Sequence, residues 1–140
     1  MSVTNLQIIA DALRSIGVLD ETETPSSEQG SHCLRELNQM LAAWDVEGVK
    51  LGYFAQTSTA ATCPIPDWAE AAVKYRLALR VAPHYGAQVP IGTVAAADES
   101  YTTLLRTVMN LKLTGADLSH LPIGSGHYNA GYDIRTDNLL

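Results

Sequence analysis

The chain has 140 residues, 46% of them hydrophobic, which excludes a disordered tail and suffices for one domain with a real core. The formal net charge of -6 offers no basic footprint for gripping a nucleic-acid backbone, although it permits loose proximity to DNA. Two cysteines, Cys33 and Cys63, make no disulfide framework, no apolar run approaches transmembrane length, and Met1 to Ile9 lacks the basic start of a signal peptide. The expectation is a protein with reduced thiols in a cytosol-like setting, away from membranes.

Thr4 to Ile16 reads as a first helix. Thr4 and Gln7 form a capping box, and Val3 and Ile8 are spaced for a hydrophobic staple. Leu6, Ile9, Leu13 and Ile16 make the apolar stripe, and Gly17 stops it with Val18 in reach of Leu13. Asp20 to Thr24 is an acidic connector. The longest amphipathic segment follows, from Ser26 to Gly48, at roughly 20 residues or about 30 Å of helix. Leu34, Leu37, Leu41 and Trp44 recur at spacings of three and four, flanked by Cys33 and Met40. Two starts fit: Ser26 with Gln29 as a capping box, or Thr24 as cap with Pro25 at the first helical position. Gly48 supplies the left-handed stop, with Val49 folding back on Trp44.

Residues 51–66 lack a clear period. Gln56 to Thr62 is rich in Thr, Ser and Ala, and Pro64 and Pro66 forbid a central strand or helix, which leaves a loop with room for a short β-hairpin. Asp67 is placed as an N-cap, with Glu70 as its capping-box acid, for a third helix from Trp68 to Ala82. Ala69, Ala72, Val73, Leu77, Leu79 and Val81 cover much of its circumference, which predicts a central position. Pro83 ends it. A fourth helix spans Thr93 to Leu113, with Val94, Ala97, Tyr101, Leu104, Leu105, Val108 and Leu111 on one side and Gly115 as its stop. Beyond Gly115 no period survives. Ala116 to Leu140 is too rich in Tyr, Leu and Ile for a solvated linker and reads as an arm whose apolar residues await a partner. The fold class expected is all-α: a bundle of about four helices as a body over residues 1–115, and an extended C-terminal arm over 116–140.

Chemistry is sparse. His32, His84, His120 and His127 have no HExxH, HxH or Cys-pair spacing, so no metal site is expected. Gly124-Ser125-Gly126 has neither the preceding strand nor the Gly-Lys-Ser of a phosphate loop. Acid pairs drawn from Asp20, Glu21 and Glu28 are ordinary for a polar connector. No catalytic residue, cofactor or metal is assigned, and the expectation is a protein that is not an enzyme. Arg76 and Arg80 share a face at i, i+4 on the third helix, either solvated or set to pair with an acidic stretch such as Asp20-Glu21-Glu23 of another subunit. Trp44 and Trp68 read as core or subunit-contact residues.

Three landmarks, in order, carry a resemblance. They are Ala12-Leu13-Arg14-Ser15-Ile16-Gly17-Val18; the run Leu34 to Trp44 followed by Glu47-Gly48-Val49; and Pro66-Asp67-Trp68-Ala69-Glu70 leading to Leu77 to Pro83 and Tyr85-Gly86. The chain resembles, from Leu6 to Leu111, the head-to-tail adaptors of tailed bacteriophages, and most closely the tail accessory factor, or packaged-DNA stabilisation protein, of short-tailed phages. The resemblance implies a helical subunit that forms a twelve-fold homo-oligomeric ring below the portal protein after DNA packaging. It implies an arm that docks on the portal, and surfaces for a tail nozzle and, in some phages, tailspikes or fibres. DNA would pass through the lumen without specific binding. The protein would be made in the host bacterial cytoplasm and reside in the neck of the virion.

On that reading Leu118, Leu121, Pro122, Ile123, Tyr128, Tyr132 and Ile134 are the portal-binding arm residues. Arg35, Gln39, Ala42 and Val46 on the long helix, with Arg76 and Arg80, are the subunit-contact candidates. Two other classes stay open from the residues themselves: a small helical scaffold or regulator that binds a cellular protein through its tail, and a tail-associated cell-wall hydrolase acting through Glu28 and Glu70.

Overall fold

The computed structural model describes residues 2–114. The arm residues Leu118, Leu121, Pro122, Ile123, Tyr128, Tyr132 and Ile134, and the stop at Gly115, lie outside the described residues. Four helices run in order: α1 (Asn5–Ser15), α2 (Ser27–Val46), α3 (Glu70–Val81) and α4 (Ile91–Thr114). Short 3-10 turns, Asp67–Ala69 and Ala82–Tyr85, bracket α3.

The ends of α1 and α2 follow from local chemistry. Thr4 and Gln7 close one capping box, Ser26 and Gln29 the other, which selects Ser26 over Thr24 as the cap of α2. At the far ends Gly17 (φ 75°) and Gly48 (φ 97°) take the left-handed conformation. Val18 N–H then donates to Leu13 O (3.0 Å) and Val49 N–H to Trp44 O (2.9 Å), so both helices stop in the same six-to-one hydrogen-bonded turn.

The start of α3 differs from the capping box expected of Asp67 and Glu70. Asp67 stands inside a 3-10 turn, and Glu70 is the first residue of the α-helix. Pro66 O accepts from Ala69 N–H (2.9 Å), so backbone rather than side chain opens the segment. α4 begins two residues earlier than the pattern suggests, because Pro90 O accepts from both Thr93 and Val94 N–H.

α3 is the central element, packed against α1, α2 and α4. Val73, Leu77, Ala78 and Val81 are fully buried on it, whereas Leu79 is half-buried. Ile8, Ile9, Ala12, Leu13 and Ile16 from α1 meet Cys33, Leu34, Leu37, Met40, Leu41 and Trp44 from α2 around it. α4 adds Ala97, Leu104 and Val108, with Tyr101 and Leu105 half-buried. Val94 (39% exposed) and Leu111 (57%) do not join the core. Two side chains tie α4 down: Thr93 Oγ1 donates to Ser15 O (3.0 Å), and Lys112 Nζ to Gly48 O (2.9 Å). Each covers a carbonyl at the end of an earlier helix.

Residues 51–66 form no hairpin. The one β-bridge among the described residues joins Thr62 to Thr4, antiparallel. The connector is instead a strap across the start of α1. Asn5 N–H donates to Ala61 O (3.0 Å), Leu6 N–H to Thr59 O (2.8 Å) and Cys63 N–H to Val3 O (2.8 Å). The strap thus satisfies two of the four N–H groups that a helix leaves unpaired at its start. Asn38 of α2 holds the other end. Its amide donates to Gln56 O (2.9 Å) and accepts from Gln56 N–H (2.9 Å) and from Tyr53 OH. Fully buried Asn5 adds donations to Gln56 Oε1 (3.3 Å) and Ser58 O (2.9 Å). A segment whose backbone is paired this way has no need of a second strand.

Candidate functional site

The long helix α2 presents different chemistry on each side. Its apolar stripe faces the core, and Asn38 faces the strap. Arg35, Gln39, Ala42 and Val46 fall at i, i+4, i+7 and i+11, one further stripe, and all four are exposed. Val46, at 88% exposed, is a large apolar side chain in solvent. α4 carries a second apolar surface: Ile91, Met109, Leu111 and Leu113 are 88%, 61%, 57% and 64% exposed. Trp68 lies at 42%, next to a groove of about 290 Å³ between α3 and α4 lined with Ala71, Tyr75 and Ala96. Trp44, by contrast, is buried against Tyr101, with ring centroids 5.1 Å apart.

The arginines of α3 are engaged within the chain. Arg80 Nε donates to Glu36 Oε2 (2.7 Å) and its NH2 to Gln39 Oε1 (3.3 Å). Arg76 pairs with Asp98 (3.1 Å) and stacks over the Tyr101 ring at 4.5 Å. The bond from Arg80 holds the Glu36 carboxyl below the usual carboxylate range. Arg80, Gln39 and Glu36 are therefore one cluster across the α2–α3 seam, and the acid facing Arg80 comes from its own chain.

The histidine spacing gave no sign of another grouping that the fold creates. His32 and Glu36 lie one turn apart on α2, and the 3-10 turn after α3 brings His84 to them. One ligand atom from each of the three falls within 4.8 Å of the others. His32 and His84 meet edge to face at 4.6 Å between centroids. A groove of about 520 Å³ opens beside them, lined by Ser26, Glu28, Gln29, His32, His84 and Tyr85. Beneath it Cys33 Sγ lies 3.8 Å from Tyr85 Oη, and burial pushes the Tyr85 phenol up to about 12. The i, i+4 pair His32–Glu36 is visible in the sequence; the third member, 52 positions away, is not.

Glu28 lines that groove, but Glu70 does not; it opens α3 on a different element. Cys33 and Cys63 are both buried as free thiols. Among the described residues no helix is long and apolar enough to cross a membrane.

These features define a class: a small all-α bundle whose conspicuous surface features are exposed apolar side chains on two long helices. The family is set by comparison with known proteins. The family model described as P22 tail accessory factor matches residues 1–136, and the chain belongs to that family. It is a structural, virion-associated component of a bacteriophage tail. No curated protein matches the chain.

Proposed function

We propose that the chain is the head-to-tail adaptor of a tailed phage, forming a ring below the portal that closes the capsid after packaging and receives the tail. The observation that carries this reading is the family match, which runs from residue 1 to residue 136 and so includes most of the segment 116–140. Exposed Val46 on α2 and exposed Ile91, Met109, Leu111 and Leu113 on α4 supply apolar area on the body for neighbouring subunits. The adaptor works by burial and not by catalysis. Its arm pays the cost of ordering through Leu121, Ile123, Tyr128 and Tyr132 against the portal, and twelve arms on one ring act together. The net charge of -6 suits a channel through which DNA must leave, since a basic wall would hold phosphates. Other faces of the ring receive a nozzle and, where present, tailspikes or fibres.

Electron microscopy of the full chain mixed with its portal tests this directly. A ring on one face of the portal is expected, and a chain lacking Leu118 to Leu140 is expected to keep its helical circular dichroism yet leave the portal bare. A full-length chain that forms no ring, or a truncated chain that docks as well as the full one, refutes the reading.

A further inference from the structure

We propose that His32, Glu36 and His84 form a three-ligand site for a divalent transition-metal ion, zinc being the best match, which ties the turn after α3 to α2. Two imidazoles and one carboxylate are a donor set that zinc takes with water in the remaining position. Three independent observations carry the proposal. The first is convergence: the ligand atoms already lie within 4.8 Å of one another, against the roughly 3.3 Å between neighbouring ligands in a tetrahedral zinc shell. The exposed His84 ring stands at the surface, where rotation about its side-chain bonds can shorten that distance.

The second observation is an unmet polar atom. His32 Nε2 is buried and has no hydrogen-bond partner. A buried ring nitrogen without a partner is unfavourable by about 1–3 kcal/mol unless something satisfies it, and a metal ion does. The third is the setting of the carboxylate. Arg80 Nε donates to Glu36 Oε2 at 2.7 Å, which fixes the carboxylate and leaves Oε1 for a metal. Arg80 is thus a positioning residue for the site. The groove of about 520 Å³ beside the histidines gives an ion a path in and leaves room for the completing water.

The test is calorimetric titration of chelator-treated full-length protein with zinc chloride, magnesium chloride serving as the hard-cation control. One equivalent of zinc is expected, with no magnesium heat. His84 is exposed, so His84→Ala leaves the fold intact by circular dichroism, and it should weaken zinc binding at least about tenfold. Glu36→Gln should do the same. The thermal midpoint of the wild type should rise with added zinc while that of His84→Ala should not. His120 and His127 are the competing donors, so a His120→Ala/His127→Ala chain must bind zinc within about tenfold of the wild type. Absence of stoichiometric binding, a loss smaller than tenfold in His84→Ala, or loss in the His120→Ala/His127→Ala chain overturns the proposal.

Discussion

Asn38 is the side chain whose removal should reveal most about how this bundle is held. Its amide makes three hydrogen bonds to the strap: to Gln56 O, from Gln56 N–H, and from Tyr53 OH. Asn38→Ala deletes all three and leaves both backbone groups of Gln56, an 8%-exposed residue, without that partner. A buried backbone group left unpaired costs about 1–3 kcal/mol, and a lost bond from a half-buried hydroxyl about 1 kcal/mol. These groups are partly reached by water, so the lower half of the range applies to each backbone group, and the three losses together come to about 3–5 kcal/mol. That is a large share of the 5–15 kcal/mol typical of a whole domain.

Urea unfolding followed by circular dichroism measures it. With a slope of about 2 kcal/mol/M, the midpoint should fall by about 1.5–2.5 M. Tyr53→Phe removes one of the three bonds and should shift the midpoint by about 0.5 M. Hydrogen exchange locates the effect: the Gln56 amide should lose protection at a lower free energy than the α3 amides do. If Asn38→Ala moves the midpoint by less than about 0.3 M, the strap is not held through Asn38 and the reasoning fails.

Three further outcomes follow from other contacts. Arg80 lowers the folded-state pKa of Glu36, so the pair stabilises above the unfolded carboxylate value of about 4.3 and is lost as pH falls through the lower folded value. Glu36→Gln should therefore flatten the acid limb of stability against pH, measured by urea midpoints. At pH 7 it should cost about 1 kcal/mol or less, because Arg80 is 39% exposed. Burial raises the Cys33 thiol, and the Cys63 thiol to about 11, so at pH 8 both should react with a chromogenic disulfide at least about a hundredfold more slowly when folded than in urea. Met109→Gln with Leu113→Gln on α4 should leave monomer stability within about 0.5 kcal/mol, since both side chains are exposed, yet reduce ring formation on the portal in native mass spectrometry.

The parts of the fold legible in the sequence are those decided within a few residues. Both capping boxes and both glycine stops involve groups no more than five positions apart, and each forms as the local chemistry dictates. The centrality of α3 was legible too, because apolar residues on most of its circumference demand neighbours on several sides. Most of what failed depended on distant partners. Thr-rich residues 56–62 have strand propensity, but propensity does not say that α1 and Asn38 will supply the pairing. Asp67 and Glu70 have capping-box spacing, but a 3-10 turn over Asp67–Ala69 comes first, and that failure is local. The α4 pattern marks a buried side without saying how closely the other helices cover each position on it, and Val94 and Leu111 fall outside the core. His84 could not be joined to His32 without knowing that α3 returns the chain to the first turns of α2.

In the proposed ring, the same return constrains where a neighbouring subunit could touch. α2 is engaged on three of its sides: the stripe from Leu34 to Trp44 in the core, Asn38 on the strap, and His32 with Glu36 against His84 and Arg80. Gln39 lies at the border, accepting from Arg80. What is left exposed along the helix includes Ser31, Arg35, Ala42, Ala43, Asp45 and Val46. Small Ala42 beside apolar Val46 allows close approach of another helix, and Arg35 at the upper end offers a charge at the rim. Arg80 and Arg76 already hold acids of their own chain, so recruiting them to a neighbour would require breaking pairs at 2.7 and 3.1 Å. An interface through Ala42 and Val46 requires no such exchange, which makes those two positions, ahead of the arginines, the ones to substitute first when ring assembly is probed.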